Sequence, residues 1–221
     1  MIYDLSPPIS PALKVWPGDT PPSREVLLDM KAGANLTLSS LHATVHLGAH
    51  ADAPSHYGKD APSIEARPLD LYVGPCQVVR VAARRGSVLR PGDIAGGAIR
   101  APRVLLSTGT FPDPGVFNED FAACSAELVD HLHERGVRLI GIDTPSVDPF
   151  PSKDLPAHQA CLRHDMAVLE GLLLAHVPEG VYELIALPLP LVGYDGSPVR
   201  AILRDLAWRS SSIATSAPGS K

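Results

Sequence analysis

The histidine-rich run at residues 46–56, HLGAHADAPSH, is the part of the sequence best equipped for chemistry. Its polar residues are two or four positions apart, and most of the residues between them are small and apolar. The polar residues are His46, His50, Asp52 and His56. Imidazole and carboxylate together suit zinc or a similar divalent ion. Because the run contains no thiolate, it favours a catalytic ion, which keeps a position open for water, over a closed structural site.

An extended conformation fits this run better than a helix, because Gly48 and Pro54 both disfavour a helix interior. In a strand the four polar side chains share one face, and the opposite face is apolar. Along a strand His50 and Asp52 lie about 7 Å apart at Cα, but His46 and His50 lie about 13 Å apart. One ion therefore requires a bend at Gly48, whereas two ions about 3.5–4 Å apart and bridged by Asp52 fit the number of ligands better.

A second group of candidate ligands lies in residues 154–172, DLPAHQACLRHDMAVLEGL. Its members are His158, His164, Asp165 and Glu170. Apolar residues at helical intervals predict a helical segment, either one helix or two, that begins after Pro156 in AHQACLRHDMAVLEGLLLAH. On one straight helix His158 and Glu170 are about 120° apart, so sharing an ion requires a break or turn between them. A solvated helical position is the alternative for Glu170.

Strands dominate the predicted secondary structure. Runs rich in β-branched residues predict strands at Glu25–Met30, Leu36–His46, Cys76–Val81, Val104–Ser107, Val137–Ile142, Tyr182–Leu187 and Val199–Leu203. The clearest helix is Ala126–Arg135, with Ser125 as its N-cap and Gly136 as its terminator. We therefore predict a β-rich mixed α/β fold, with a barrel-like mixed sheet and helices packed outside it.

Composition narrows the class of protein. The 221 residues carry a formal net charge of −5, and no cluster of basic residues indicates a nucleic-acid partner. No signal peptide or bilayer-length apolar stretch is found, so we expect a soluble cytoplasmic protein without a membrane partner. The three widely spaced cysteines predict core positions and no disulfide framework. We expect one domain over residues 1–207 and a disordered tail over residues 208–221.

The histidine-rich run resembles the signature of the metal-dependent cyclase family, H-x-G-T-H-x-D-x-P-x-H. The matching residues are His46, Gly48, His50, Asp52, Pro54 and His56, and Ala49 stands where the family usually has Thr. The stretches YDLSPPISPALKVWPGD, GIDTPSVDP and GYDGSPVRAIL extend the likeness over nearly the whole chain. Ala49, WPGD and IDTPS together are most similar to the bacterial kynurenine formamidases, the arylformamidases of tryptophan degradation.

The resemblance implies a fold of the swivelling β/β/α type and a homodimer that hydrolyses N-formyl-L-kynurenine to L-kynurenine and formate. It also implies two zinc ions per subunit. Their ligands would be His46, His50, Asp52, His158 and Glu170. The resemblance assigns the catalytic histidine to His56 and the aromatic substrate contact to Trp16.

Such a site could hydrolyse a formamide without a serine or cysteine nucleophile, because a metal ion lowers the pKa of water toward about 7 and stabilises an oxyanion. His56 would carry a proton to the departing arylamine, or would serve instead as a further ligand. Trp16 offers a flat surface for the aniline ring, or packs as an anchor for its loop. Residues 142–146 and Arg200 either line the pocket or complete strands.

Two other functions fit the same residues. One is another amide or cyclic-amide hydrolase of the family, for instance one that opens isatin, which substrate profiling would distinguish. The other is a metal-binding or structural protein without turnover. The non-functional alternative for the histidine-rich run is a solvated sheet face that binds nothing. A serine hydrolase and a nucleotide-binding enzyme are disfavoured, because the sequence has no G-x-S-x-G elbow, P-loop or G-x-G-x-x-G.

Overall fold

The strands of the protein are short, and nine of them join one curved sheet. The computed structural model describes residues 1–94 and 98–206. Its strands are β1 (Ile2–Asp4), β2 (Ser23–Leu28), β3 (Leu38–His42), β4 (His50–Asp52), β5 (Val73–Arg80), β6 (Val88–Leu89), β7 (Arg103–Ser107), β8 (Ala123–Cys124), β9 (Leu139–Ile142), β10 (Ala167–Glu170), β11 (Gly180–Ile185), β12 (Gly196–Pro198) and β13 (Ile202–Asp205). Its α-helices are α1 (Ala126–His133) and α2 (Pro156–Arg163).

The main sheet is mixed. Its order is β1-β13-β11-β5-β7-β9-β10-β4-β12, with β5, β7, β9 and β10 parallel to one another and antiparallel pairs on both sides. The strands β2 and β3 form a separate hairpin, and β6 and β8 a short parallel pair. This arrangement confirms the β-rich mixed α/β fold with a curved, half-barrel sheet.

Each face of the sheet packs against its own hydrophobic core. Along β9, Leu139 belongs to the inner core, whereas Ile140 and Ile142 point the other way and pack with both helices. The same alternation places Leu105 of β7 inside and Leu106 outside. Because successive side chains of a strand point to opposite faces, the helices cover the outer face alone, as predicted.

Helix α1 begins where the sequence predicts. The Ser125 side chain accepts a hydrogen bond from the Leu128 N–H at 3.1 Å and so caps the helix. The helix ends at His133, two residues before the predicted end, and Gly136 follows in the left-handed region with φ of +81°. Glycine adopts this conformation without steric cost, which explains why the chain turns here into β9.

The helical segment predicted after Pro156 is correct only as far as Arg163, and its second half is wrong. Helix α2 stops at Arg163, and the chain turns through Asp165, which has a left-handed φ of +51°. Residues Ala167–Glu170 then form β10 between β9 and β4. Pairing with two neighbouring strands satisfies the backbone of this segment, so tertiary structure overrides its helical periodicity.

One predicted strand, Val199–Leu203, is also misplaced. Residues 199–201 connect β12 to β13, and their backbone groups bond to other segments, since Val199 N–H donates to Ala49 and Ala201 N–H to the Ser6 side chain. The strands β1, β10 and β12 have only three or four residues, too few for an alternating pattern to reveal them. Most of the other predicted strands differ from the observed ones only at their ends.

Other expectations concern cysteines, membranes and the tail. Cys76, Cys124 and Cys161 are buried and unpaired in the described chain, as predicted. Neither α-helix of residues 1–94 and 98–206 has the length or hydropathy that a bilayer crossing requires. The tail predicted at residues 208–221 lies outside the described residues.

Candidate metal centre

The histidine-rich run bends at Gly48, which has a φ of +57°. This bend brings the His46 and His50 rings to 5.0 Å between centroids. Strand β4 then carries His50 and Asp52, and a short 3-10 helix at Pro54–His56 turns the His56 ring back to 4.1 Å from that of His46. The bend that the sequence allowed at Gly48 is therefore present.

The alanines of the run confirm its predicted apolar face, and two glycines allow its close contacts. Ala49, Ala51 and Ala53 lie in the inner core, opposite the polar side chains. A side chain at Gly48 would meet Pro7 at 2.9 Å, and one at Gly171 would lie 2.1 Å from the carbonyl oxygen of Gly48. Gly48 thus allows the run to pack against Pro7, and Gly171 allows the run to approach the end of β10.

A fully buried carboxylate, that of Asp52, lies at the centre of the site. Its Oδ1 is 3.0 Å from Nδ1 of His46 and 3.4 Å from Nε2 of His50, and its Oδ2 is 3.2 Å from Nε2 of His158. Oδ1 is buried and forms no hydrogen bond with any described residue. A buried carboxylate oxygen without a donor is costly, so a cation is the natural partner for it.

Pairing of β10 with β4 brings Glu170 to the same place, directly opposite His50. Glu170 Oε2 lies 3.4 Å from His50 Nε2, and its Oε1 lies 3.3 Å from His158 Nε2. Oε1 also accepts a hydrogen bond from the Val147 N–H at 2.7 Å. The break between His158 and Glu170 that a shared site requires is the turn before β10. His164 and Asp165 face elsewhere, pairing with Asp130 and Arg67.

Asp148 holds His158 in place, a role that sequence reasoning missed. Its Oδ2 is 2.7 Å from His158 Nδ1, and its two oxygens also accept the backbone N–H groups of Ala157 and His158. One carboxylate therefore caps the first turn of α2 and fixes the ring so that Nε2 faces the site. No spacing pattern links Asp148 to a helix that begins eight residues later.

Asp195 is a second residue that sequence reasoning missed. Its Oδ2 lies 3.1 Å from Nε2 of His46 and 3.4 Å from Nδ1 of His56. The adjoining Gly196 pairs with Asp52 in the sheet, which places Asp195 at the rim of the site. A carboxylate behind a histidine fixes its tautomer and its ring orientation.

The electrostatics of the cluster favour cations. Burial lowers the pKa of His46, but its contacts with Asp52 and Asp195 outweigh burial and raise that pKa to about 9. Burial likewise opposes charge on His158, yet Asp148 and the other carboxylates hold its pKa well above the ordinary value. His56 is more exposed and touches fewer anions, and burial lowers its pKa. Without an ion, the cluster therefore retains protons that a metal ion would displace.

The donor atoms fit divalent ions in two overlapping groups. One contains His46, Asp52 and His56, and the other contains His50, Asp52 and Glu170, with the donor atoms of each within 4.8 Å of one another. Asp52 belongs to both, as the bridging residue of a two-ion site does. His158 lies outside both groups despite its contacts with Asp52 and Glu170, and His56 lies inside one although it was predicted as the catalytic histidine.

The cluster opens into a cavity of about 460 Å³. One wall is aromatic, because the Trp16 ring packs at 4.8 Å from Phe150, 5.7 Å from Phe117 and 6.2 Å from Phe121. Phe111 packs on Phe117, so all four phenylalanines of the sequence belong to this aromatic cluster. The loops that carry these residues bring an aromatic surface next to the histidines.

Asp143 and Ser146 line this cavity, whereas Arg200 does not. Asp143 accepts hydrogen bonds from Thr108 and Gly109, and burial raises its pKa. Arg200 pairs with Asp4 on the surface. Asp143, Pro145 and Ser146 of the IDTPS stretch therefore line the pocket, whereas Arg200 forms a surface ion pair.

Comparison with known proteins gives consistent matches. Residues 3–149 match the sequence model of the family described as putative cyclase. A potential metal-dependent hydrolase with cyclase activity shares 28% identity at a TM-score of 0.80, over 92% of this chain and 96% of that chain. A predicted metal-dependent hydrolase from Bacillus stearothermophilus shares 29% identity at a TM-score of 0.78, over 92% and 97%. Isatin hydrolase A from Labrenzia aggregata, bound to benzyl benzoate, shares 26% identity at a TM-score of 0.81, over 92% and 93%.

Proposed function

The chain belongs to the cyclase family, and from this premise we propose that it is a hydrolase of N-formyl-L-kynurenine, which it cleaves to L-kynurenine and formate. At the coarser level it is a metal-dependent hydrolase of that family. One observation carries the finer proposal: a cluster of metal-ligand residues and an aromatic wall line the same cavity. This combination suits an aryl amide whose reactive carbonyl lies at the ions while its ring lies on the wall.

We propose zinc as the cofactor, with two ions per subunit. The residues that would hold them are His46, His50, Asp52, His158 and Glu170. The bound ions would make water a stronger nucleophile at neutral pH and would stabilise negative charge on the carbonyl oxygen. The orphaned oxygen of Asp52 and the absence of thiols from the cluster support an ion of this kind.

His56 is the acid and base of the proposed reaction. Its Nδ1 faces Asp195, so Nδ1 carries the hydrogen that this carboxylate accepts, and Nε2 is the atom that exchanges protons. Water adds to the formyl carbon and gives a proton to Nε2. When the carbon–nitrogen bond breaks, Nε2 gives that proton to the aniline nitrogen, which leaves as a neutral amine.

Trp16 and Phe117 supply the surface for the aryl ring. Both line the cavity, and their edge-to-face contact at 5.7 Å keeps the Trp16 ring in one orientation. An aromatic substrate would gain from the buried apolar area and from stacking on this wall. The wall would thus position the ring so that the formyl group meets the histidine cluster.

Ring opening of a cyclic amide is the second candidate function. It is favoured by the likeness to isatin hydrolase A, a protein of the same fold at 26% identity. Isatin is also an aryl amide, so the same wall and the same ions would serve. The two candidates differ in what the substrate carries beyond the ring, which a direct comparison of substrates resolves.

We also propose that the protein is a homodimer. The hairpin of β2 and β3 exposes every residue of β2 and all but one residue of β3. Its exposed apolar side chains are Val26, Leu27, Leu28, Leu38 and Leu41. A two-stranded hairpin is only marginally stable in water, so contact with a second copy of the chain would stabilise it.

The test is release of L-kynurenine from N-formyl-L-kynurenine by the purified protein as isolated, after chelation and dialysis, and after zinc is restored. Turnover that disappears with the metal and returns with zinc supports the proposal. Circular dichroism of the metal-free protein is recorded in parallel, because a chain that stays folded but inactive does not use its metal only for structure. Zinc-loaded protein that opens isatin but leaves the formamide intact would establish the second candidate instead.

A further inference from the structure

The charges that line the cavity are unevenly distributed. Apart from the histidines, the charged lining residues are Lys14, Asp19, Asp143 and Glu170. Among the described lining residues, Lys14 is the only one with a lysine or arginine side chain. The others are carboxylates, so outside the histidine cluster Lys14 is the lining side chain that attracts a negatively charged part of a substrate.

The backbone of Lys14 is held close to the histidine-rich run. Its N–H donates to the carbonyl of Pro114 at 2.9 Å, which ties this loop to the loop that carries the phenylalanines. The preceding Leu13 packs against Gly48, lying 3.3 Å from where a Cβ of that glycine would be. The position of Lys14 is therefore fixed relative to both the histidine-rich run and the aromatic wall.

The ammonium group of Lys14 is available for a ligand. Its side chain is exposed and forms no hydrogen bond or ion pair with any residue in the described part of the chain. Other basic residues have anionic partners, as Arg200 has Asp4 and Arg67 has Asp165. An exposed, unpaired cation that lines the cavity is suited to bind an anion.

We propose that Lys14 binds a carboxylate of the substrate, so that the site selects aryl amides with a carboxylate side chain over neutral rings. This inference rests on the proposed function, because it assumes that the ring occupies the aromatic wall and the amide meets the ions. Lys14 is two residues from Trp16, so a ring on Trp16 brings its own substituents near the ammonium group. N-formyl-L-kynurenine has such a carboxylate, whereas isatin is neutral.

Lys14 would hold the substrate's carboxylate equally in the ground state and in the transition state, so loss of the contact would raise KM and leave kcat unchanged. The residue therefore determines specificity and takes no part in the chemical step.

The test compares two substrates on three zinc-loaded proteins. The substrates are N-formyl-L-kynurenine and ortho-acetyl formanilide, which keeps the aryl formamide and the ring ketone but has no carboxylate. The proteins are the wild type, Lys14→Met and the control Lys153→Met, whose lysine is exposed and does not line the cavity. We expect Lys14→Met to raise KM for N-formyl-L-kynurenine about fivefold, with kcat and both constants for the neutral formanilide unchanged.

A second variant, Lys14→Glu, should raise KM for the charged substrate further and leave the neutral one unaffected. If the wild type hydrolyses both formamides and the Lys14 variants affect them equally or not at all, the inference is wrong while the proposed function stands. If the wild type hydrolyses neither formamide, the proposed function fails and the inference fails with it. The control variant should match the wild type in every case.

Discussion

Nε2 of His158 lies 3.3 Å from Oε1 of Glu170, although one residue belongs to helix α2 and the other to strand β10. The left-handed turn at Asp165 makes this contact possible, because it ends the helix and reverses the chain into the sheet. The distance between the two residues is therefore fixed by strand pairing and not by helical geometry. Variants of this pair and of its neighbours test the proposed metal centre.

Glu170→Gln should weaken zinc binding by more than about 100-fold, because loss of a direct ligand costs at least as much as loss of an outer partner. Gln keeps the size of the side chain and one oxygen for the Val147 N–H, so the fold should persist. Competition with a chromophoric zinc chelator measures the affinity. Glu127→Gln, an exposed change on α1, is the matched control. Equal zinc affinity in Glu170→Gln and the wild type would remove Glu170 from the ligand set.

Asp148→Asn should weaken zinc binding about 10–100-fold although Asp148 is not proposed to touch the ion. Asn has one carbonyl oxygen where Asp has two carboxylate oxygens, so it cannot accept all of these hydrogen bonds. Either the His158 ring loses its fixed orientation or the first turn of α2 loses its cap. We expect a lower thermal midpoint as well as weaker zinc binding. A variant that loses stability but keeps the wild-type zinc affinity would limit Asp148 to capping the helix.

His56→Gln should lower kcat about 10²–10⁴-fold, the usual contribution of a general acid and base. Zinc content measured by atomic emission should stay at the wild-type value if His56 only transfers protons. This readout distinguishes the two roles that the sequence leaves open for His56. A variant that loses an ion together with its activity would instead identify His56 as a ligand.

The stability of the metal-free protein should fall as pH rises from about 6.5 to about 9. The folded state raises the pKa of His46 from its ordinary value of 6.5 to about 9, so this group stabilises the fold fully below pH 6.5. That contribution is lost as pH rises through 9. Zinc displaces the same proton, so zinc affinity should rise over this interval. Thermal unfolding with and without zinc, recorded across this pH range, should show a zinc-induced rise in the midpoint that grows with pH; a rise that stays constant or shrinks would contradict the prediction.

Leu41→Lys should convert the proposed dimer to monomers, because it adds a charge to the apolar hairpin of β2 and β3. Light scattering after size-exclusion chromatography measures the mass. Val192→Lys is the control, since Val192 is equally apolar and more exposed but lies far along the chain from the hairpin. If Leu41→Lys and the wild type have the same mass, the hairpin is not the interface.

The sequence predicted the parts of the site that lie within one short run. The spacing of His46, His50 and Asp52, with apolar residues between them, is visible without a structure, whereas the bend at Gly48 was only one of two alternatives. Asp148 and Asp195 were not predicted as site residues, because no spacing pattern links Asp148 to His158 and because Asp195 lies 149 positions from His46. Strand β10 was missed for a related reason: three apolar residues and Glu170 continue a helical pattern, and they become a strand only by pairing with β9 and β4.

The wide separation of the residues in the site affects how the protein is made. Asp52 and His158 are 106 positions apart, yet their side chains lie 3.2 Å from each other. At a translation rate of about 5–20 residues per second, the nascent chain presents its histidine-rich run for roughly 5–20 s before the second half of the site leaves the ribosome. Tight ion capture therefore waits until β10 has joined β4, so acquisition of metal becomes one of the last events in the maturation of the chain.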